Sequence, residues 1–99
     1  MYVIREVLNC KPGMVRQMSE KFRQLSAVLV AMGQEPLRIL TDVAGDPFWT
    51  LVVEARVEKI DDFFAMEQQL RANETLRTTM ADYHSLVDRG RREIYRLES

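Results

Sequence analysis

His84 is the only histidine of the chain, and its side chain is the one best suited to proton transfer near neutral pH. Histidine is the one side-chain type that ordinarily changes charge near pH 7, so it can both accept and donate a proton. Met80 and Val87 lie on the same predicted helix surface as His84, so its imidazole can border an apolar stripe. His84 is therefore the candidate general base, and the alternative is a histidine at the boundary between core and solvent.

The sequence offers little support for metal or nucleophilic chemistry. Zinc sites normally use three or four protein ligands, and His84 has no neighbouring cysteine or second histidine. Cys10 is adjacent to Lys11, which favours a thiolate, but no base lies beside it in the sequence. We therefore expect no metal site and no bound cofactor.

A cluster of basic residues near Gly90 has two interpretations. It comprises Arg89, Arg91 and Arg92, with Arg96 a little further on. The cluster could hold an anionic ligand or the acidic surface of a partner. Alternatively, it is a solvated helix end, where cations complement the partial negative charge of the last carbonyl groups.

Apolar periodicity predicts the elements that must position these residues, in the order β-α-β-β-α-β. Alternating patterns predict strands over residues 2–8, 37–43, 48–57 and 91–98. Apolar residues at steps of three and four predict a helix up to Gly33, with Pro12 at its first position. A second helical region begins near residue 61, breaks at Asn73 and ends at Gly90. The turn between the middle strands falls on residues 44–47.

This order predicts one ferredoxin-like domain over residues 1–99, with a four-stranded antiparallel sheet and the helices on one of its faces. The apolar face of the third strand, with Trp49, Leu51 and Val53, should lie under the helices. The opposite face should carry the apolar and charged residues Phe48, Val52, Glu54 and Arg56, joined by Glu6 or Arg5. Apolar side chains mixed with charges that can pair favour a homodimer formed through this open face.

Composition indicates an ordinary globular domain: 46% of its 99 residues are hydrophobic, and its net charge is −1. A chain without excess positive charge is not expected to bind nucleic acid or a membrane surface. No export signal is evident, since Arg5 and Glu6 interrupt the first apolar run, and the stretch 25–33 is too short to cross a bilayer. A single cysteine cannot form an intrachain disulfide, and we expect a cytoplasmic location.

Several short segments resemble the NIPSNAP-type and antibiotic-biosynthesis-monooxygenase-like members of the dimeric α/β-barrel superfamily. They are the opening VIREVLNCKPGM, the strand pair turning at AGDPFW, LRANETLR at the helix break, and EIYRL in the last strand. The resemblance covers the whole chain as topology, and none of these segments is a catalytic signature. It implies a ferredoxin-like dimeric α/β barrel.

The resemblance also implies a ligand pocket between the helices and the sheet. In this chain the implied lining is Phe22, Trp49, Leu51, Phe63 and Tyr83, with His84 beside it. Haem-degrading relatives use an Asn, a Trp and a His, but Asn9, Trp49 and His84 do not fall at matching positions. The implied activity is that of a cofactor-independent monooxygenase or isomerase acting on a small aromatic or polyketide-like molecule. The alternative is a non-catalytic ligand-binding or assembly module whose aromatic residues fill the core.

Overall fold

A computed structural model describes residues 1–45 and 47–99 and shows a four-stranded antiparallel sheet with strand order β2-β3-β1-β4. The strands are β1 (Tyr2–Cys10), β2 (Arg38–Thr41), β3 (Thr50–Val57) and β4 (Val87–Arg96). The helices are α1 (Val15–Ala31), α2 (Ile60–Arg71) and α3 (Glu74–Thr79), and a short 3₁₀ turn covers Tyr83–Ser85. This confirms the predicted ferredoxin-like arrangement. None of the described helices is long and apolar enough to span a membrane.

The register of the central strand β1 decides which side chains share a face. Glu6 lies opposite Val53 of β3 and Arg92 of β4, and Arg5 lies opposite Glu54 and Glu93. Because successive residues of a strand point to opposite faces, Glu6 and Arg5 belong to different sides of the sheet. Glu6 is on the helix-covered side, so Arg5 is the charged residue that β1 contributes to the open face.

Helix α1 packs its apolar stripe on the sheet, as its periodicity predicts. Met18 and Leu51 are completely buried at the centre of the core, and Phe22 and Val53 pack beside them. The helix ends at Ala31, and Gly33 just beyond it has a φ of 86° and donates its N–H to the carbonyl of Val30. This left-handed glycine cap is the predicted one. The start of the helix differs from the prediction, since α1 begins at Val15 and Pro12 lies in the preceding turn.

The second helical region breaks at Asn73, as predicted. The Asn73 side-chain oxygen accepts a hydrogen bond of 3.0 Å from the backbone N–H of Leu76, which caps the start of α3. The predicted end at Gly90 is wrong, because α3 ends at Thr79 and β4 already begins at Val87. Gly90 therefore lies within a strand, where it pairs with Leu8 of β1.

The two middle strands are shorter than predicted, and contacts of Asp42 explain the late start of β3. Its carboxylate accepts hydrogen bonds from the backbone N–H groups of Trp49, at 3.2 Å, and Thr50, at 2.8 Å. Trp49 has a φ of 64°, which no strand residue adopts, so β3 begins only at Thr50. Asp46, part of the predicted turn, lies outside the described residues.

The open face carries an ion-pair network centred on Glu54. Arg5 of β1 contacts Glu54 at 3.1 Å and Glu93 at 3.6 Å, and Arg38 of β2 approaches Glu54 at 3.8 Å. Alternation along the strands places further apolar side chains on the same face: Val3, Val7, Leu40 and Val52. Val52, Glu54 and Arg56 thus lie on the predicted face, whereas Phe48, predicted beside them, precedes β3 and does not belong to the sheet.

Candidate functional site

A cavity of about 480 Å³ lies between the helices and the sheet and opens to solvent. We call it the helix–sheet cavity. Its wall is mostly apolar, with contributions from the sheet, α1, α2, α3 and the 3₁₀ turn. These apolar and aromatic residues are Ile4, Leu8, Phe22, Leu25, Leu29, Leu37, Val53, Ala55, Phe63, Met66, Leu70, Leu76, Met80 and Tyr83.

The polar part of the cavity wall is organised by Arg92 of β4. Its guanidinium donates to the Glu6 carboxylate through Nε, and to the two oxygens of Glu67 through Nη1 at 3.1 Å and Nη2 at 2.9 Å. The guanidinium also lies over the ring of Phe63, 5.2 Å from its centroid. Two carboxylates from β1 and α2 are thus held by one cation against an aromatic face.

Hydrogen bonding fixes the charges of this group. The hydrogen bond from Arg92 is the main cause of a lowered pKa at Glu67, with further lowering by the charges of Arg92 and Arg71. The pKa of Arg92 is raised, first by its hydrogen bond to Glu67 and then by Glu6. Each partner stabilises the ionised form of the other, so the Arg92–Glu67 contact is an ion pair at neutral pH.

Two further arginines line the cavity from exposed positions. Arg71, at the end of α2, donates to Glu67 at 3.2 Å and is 72% exposed in its side chain. Arg77 on α3 is also exposed. Because the side chains of Arg71 and Arg77 are exposed and also line the cavity, they lie at the opening of the cavity.

Only some of the site residues predicted from the sequence lie together in the structure. Phe22, Phe63 and Tyr83 line the helix–sheet cavity. Leu51 is fully buried in the adjoining core cluster and does not reach the cavity. Trp49 is 43% exposed and lies beside Val15, Thr41, Asp42 and Phe48, away from the cavity.

His84 does not line the cavity either. It lies in the 3₁₀ turn with an exposed side chain, and its ring stacks on Tyr83 with centroids 4.0 Å apart. Tyr83 is the member of the pair that faces the cavity. The prediction placed His84 on a continuing helix, whereas α3 ends at Thr79 and the chain changes direction before His84.

Glu6, Glu67 and Arg92 were not predicted from the sequence as a group. The signal that could have found them is strand alternation through the basic cluster near Gly90. Once β4 runs through this cluster, Arg92 points to the helix side while Arg89 and Arg91 point to the open face. The register then places Glu6 directly opposite Arg92.

This arrangement can enclose an apolar molecule and present charged groups to one part of it. Its carboxylates are engaged by arginines, and within residues 1–45 and 47–99 no group of three or more His, Cys, Asp or Glu side chains is suited to hold a metal ion. In the described part of the chain Glu6 is bonded to Arg92 alone, through one oxygen, whereas Glu67 is bonded to Arg71 and Arg92. The second oxygen of Glu6 is therefore the least engaged carboxylate oxygen on the wall.

Comparisons with known proteins agree with the architecture. No protein-family model and no curated protein sequence matches the chain. The chain is similar to an uncharacterised NIPSNAP-like domain protein from Burkholderia xenovorans, with 17% identity and a TM-score of 0.81 over 99% of this chain and 85% of that one. It is also similar to a NIPSNAP family protein from Agrobacterium tumefaciens, with 14% identity and a TM-score of 0.80 over 96% and 86% of the two chains.

A third similar structure is that of a proposed antibiotic biosynthesis monooxygenase from Nitrosomonas europaea. It is 18% identical, with a TM-score of 0.73 over the whole of both chains. Identities this low show a common fold, and fold alone does not fix chemistry. The sequence predicted a resemblance to NIPSNAP-like and monooxygenase-like proteins. These similar structures confirm it at the level of the ferredoxin-like fold.

Proposed function

We propose that this chain binds a small apolar or aromatic molecule in the helix–sheet cavity and does so as a homodimer assembled through the open face. The observation that carries the proposal is the cavity itself. Its volume of about 480 Å³ lies within the range of roughly 300–1,000 Å³ usual for small-molecule sites. Its wall also has the usual composition of such sites, apolar with a few convergent polar groups.

The alternative of a simply packed interior fits the cavity less well. Protein interiors are close-packed, and voids larger than a water molecule are few in a domain. Residues such as Leu25, Leu29 and Leu76 could fill the space only by moving away from the positions their helices fix. An open apolar space against these side chains supports occupation by a ligand.

The dimer is supported by the composition of the open face. Leu40 is 40% exposed and Tyr95 51% exposed on this face, more apolar surface than a solvated sheet needs. Glu54 and Arg5 lie near the centre of the sheet, where a two-fold axis can bring a carboxylate of one copy to a guanidinium of the other. A second copy would cover the apolar residues and leave these charges paired.

A second candidate function is catalytic, namely a cofactor-independent monooxygenase or isomerase reaction on the bound molecule. It is supported by the Nitrosomonas europaea likeness and by the carboxylates on the cavity wall. His84 was the predicted proton shuttle, but Glu6 is the better placed acceptor because it lines the cavity and keeps one oxygen outside its contact with Arg92. In this candidate Glu6 removes a proton from the substrate, and dioxygen is the oxidant.

The binding proposal is tested by filling the cavity. Titration with N-phenyl-1-naphthylamine, a neutral fluorescent probe, should show saturable binding to the unmodified protein. Ala55→Phe places a ring into the cavity from β3 and should weaken binding at least tenfold, whereas Ala65→Phe on the exposed side of α2 should not. Absence of saturable binding, or equal effects of the two variants, would refute the proposal.

The catalytic candidate is tested with anthrone, whose ring-flanked CH₂ group is acidic. Loss of a proton to Glu6, addition of dioxygen and loss of water give anthraquinone, with one O₂ consumed for each anthrone. Glu6→Gln should lower the rate roughly 10²–10⁴-fold, as expected for loss of a general base. His84→Ala should retain activity. A rate of oxygen uptake no faster than in buffer would reject the catalytic candidate and leave ligand binding standing.

A further inference from the structure

We infer that the molecule bound in the helix–sheet cavity carries a small anionic group, such as a carboxylate, and that Arg77 at the opening binds this group. The inference rests on the proposed function, since it specifies the chemical class of the ligand. It follows from the charges on the cavity wall and from the way in which they are already paired.

Among residues 1–45 and 47–99, five charged side chains line the cavity: Glu6, Glu67, Arg71, Arg77 and Arg92. Three are cationic and two are anionic, so the wall has an excess of one positive charge. Arg92 contacts both carboxylates, and Arg71 contacts Glu67. Both carboxylates are therefore neutralised by these two arginines.

Arg77 is the remaining charge. No carboxylate among the described residues lies within 4.0 Å of its guanidinium, whereas the other two arginines of the wall are both paired. Its backbone position is fixed, because Asn73 caps the start of α3 and the neighbouring Leu76 is buried. A long cationic side chain anchored in this way can reach a ligand group at the opening.

Arg92 is a poorer partner for a ligand anion. Its Nε, Nη1 and Nη2 groups already donate to Glu6 and Glu67, so an incoming carboxylate would have to approach two carboxylates held close by. Arg77 offers a planar guanidinium that can donate two parallel hydrogen bonds to a carboxylate. The favoured ligand therefore places its apolar part against the inner wall and its anionic group at the opening.

The experiment compares two probes of nearly equal shape, 2-naphthoate and 2-naphthamide, which differ in charge. Each is used to displace N-phenyl-1-naphthylamine from the intact protein at pH 7.5. We expect 2-naphthoate to bind about tenfold more tightly, the ratio that corresponds to about 1.4 kcal/mol for a charged hydrogen-bonded contact. Arg77→Gln should remove this preference by weakening 2-naphthoate and should leave 2-naphthamide unchanged.

Arg16→Gln is the matched control, since it removes the same charge from an exposed position of α1 outside the cavity. It should preserve the preference for 2-naphthoate. Equal affinity for the two probes, or an equal loss of preference in both variants, would overturn the assignment of Arg77 while N-phenyl-1-naphthylamine binding upholds the cavity. Failure of N-phenyl-1-naphthylamine itself to bind would refute the proposed function and this inference together.

Discussion

Gly90 of β4 lies so close to Leu8 of β1 that a Cβ atom at position 90 would be 2.7 Å from Leu8 Cδ2. Real Cβ atoms do not approach other heavy atoms to this distance, so a larger residue at position 90 requires Leu8 to move. Leu8 also lines the helix–sheet cavity. The glycine thus allows β1 and β4 to pair and leaves room for the Leu8 side chain beside the cavity.

Gly90→Ala should destabilise the fold by about 1 kcal/mol, because the end of the Leu8 side chain must leave its preferred conformation to make room for the added methyl group. In a Leu8→Ala background the same substitution should cost little, since the colliding methyl group is gone. Urea unfolding of the two single variants and the double variant measures this coupling. An equal cost of Gly90→Ala in both backgrounds would show that the contact is not the reason for the glycine.

Asn73→Ala should lower the free energy of unfolding by about 1 kcal/mol, the usual effect of losing a helix N-cap. The cause is loss of the hydrogen bond that the Asn73 side chain accepts from the N–H of Leu76. Asn73→Asp keeps an acceptor at the same position and should retain most of the stability. Chemical denaturation of the three proteins tests the assignment, and an equally large loss in the aspartate variant would contradict it.

The architecture could be predicted because the apolar periods of its elements are local properties of the sequence. The stripe through Met18, Phe22 and Leu29 specifies α1, and the cap at Asn73 specifies the break before α3. The ends of the strands could not be predicted in the same way. The backbone N–H of Trp49 donates to the Asp42 carboxylate just before β3 begins, a side-chain contact that alternation does not reveal.

The candidate site was predicted less well, for a related physical reason. Glu6 and Glu67 are 61 positions apart and meet only because the sheet register and the packing of α2 bring both to Arg92. His84 was assigned to the apolar stripe by counting along a helix that in fact ends at Thr79. Phe22 and Phe63 lie on the cavity wall because their helices turn them toward the sheet.

The contact between Glu67 and Arg92 predicts a pH dependence of stability. The folded protein lowers the pKa of Glu67 below its ordinary value of 4.5, so this group stabilises the fold above that pH. The stabilisation is lost as the pH falls through the lowered pKa of the folded state. Glu67→Gln should therefore be less stable than the unmodified protein by about 1 kcal/mol at pH 7, a partly exposed contact being screened by solvent.

The difference in stability between Glu67→Gln and the unmodified protein should shrink as the pH is lowered well below 4.5. Glu20→Gln is the control, because Glu20 is exposed and its contact with Arg23 lies at the surface. It should change stability little at either pH. A difference between Glu67→Gln and the unmodified protein that stays constant with pH would show that the ionised contact is not its source.

The proposed dimer predicts a sedimenting species of about 23 kDa, twice the 11.6 kDa of one chain. Glu54→Lys, at the centre of the open face, should shift the equilibrium toward monomer, because it leaves that face with a cluster of cations that repels the same cluster on the second copy. Glu20→Lys makes the same change of charge on the exposed side of α1 and should not. A monomer of the unmodified protein at micromolar concentration would refute the dimer, and equal effects would place its interface elsewhere.

Methyl-resolved NMR during titration with N-phenyl-1-naphthylamine tests the central claim most directly, because it locates the bound molecule. Methyl signals of the cavity wall should shift and show contacts with the probe, and Leu29, Leu76 and Met80 are the clearest reporters. Methyl signals of Val3 and Val52 on the open face should not change. Shifts confined to the open face, or to the exposed side chains around Trp49, would contradict the assignment of the helix–sheet cavity as the ligand site.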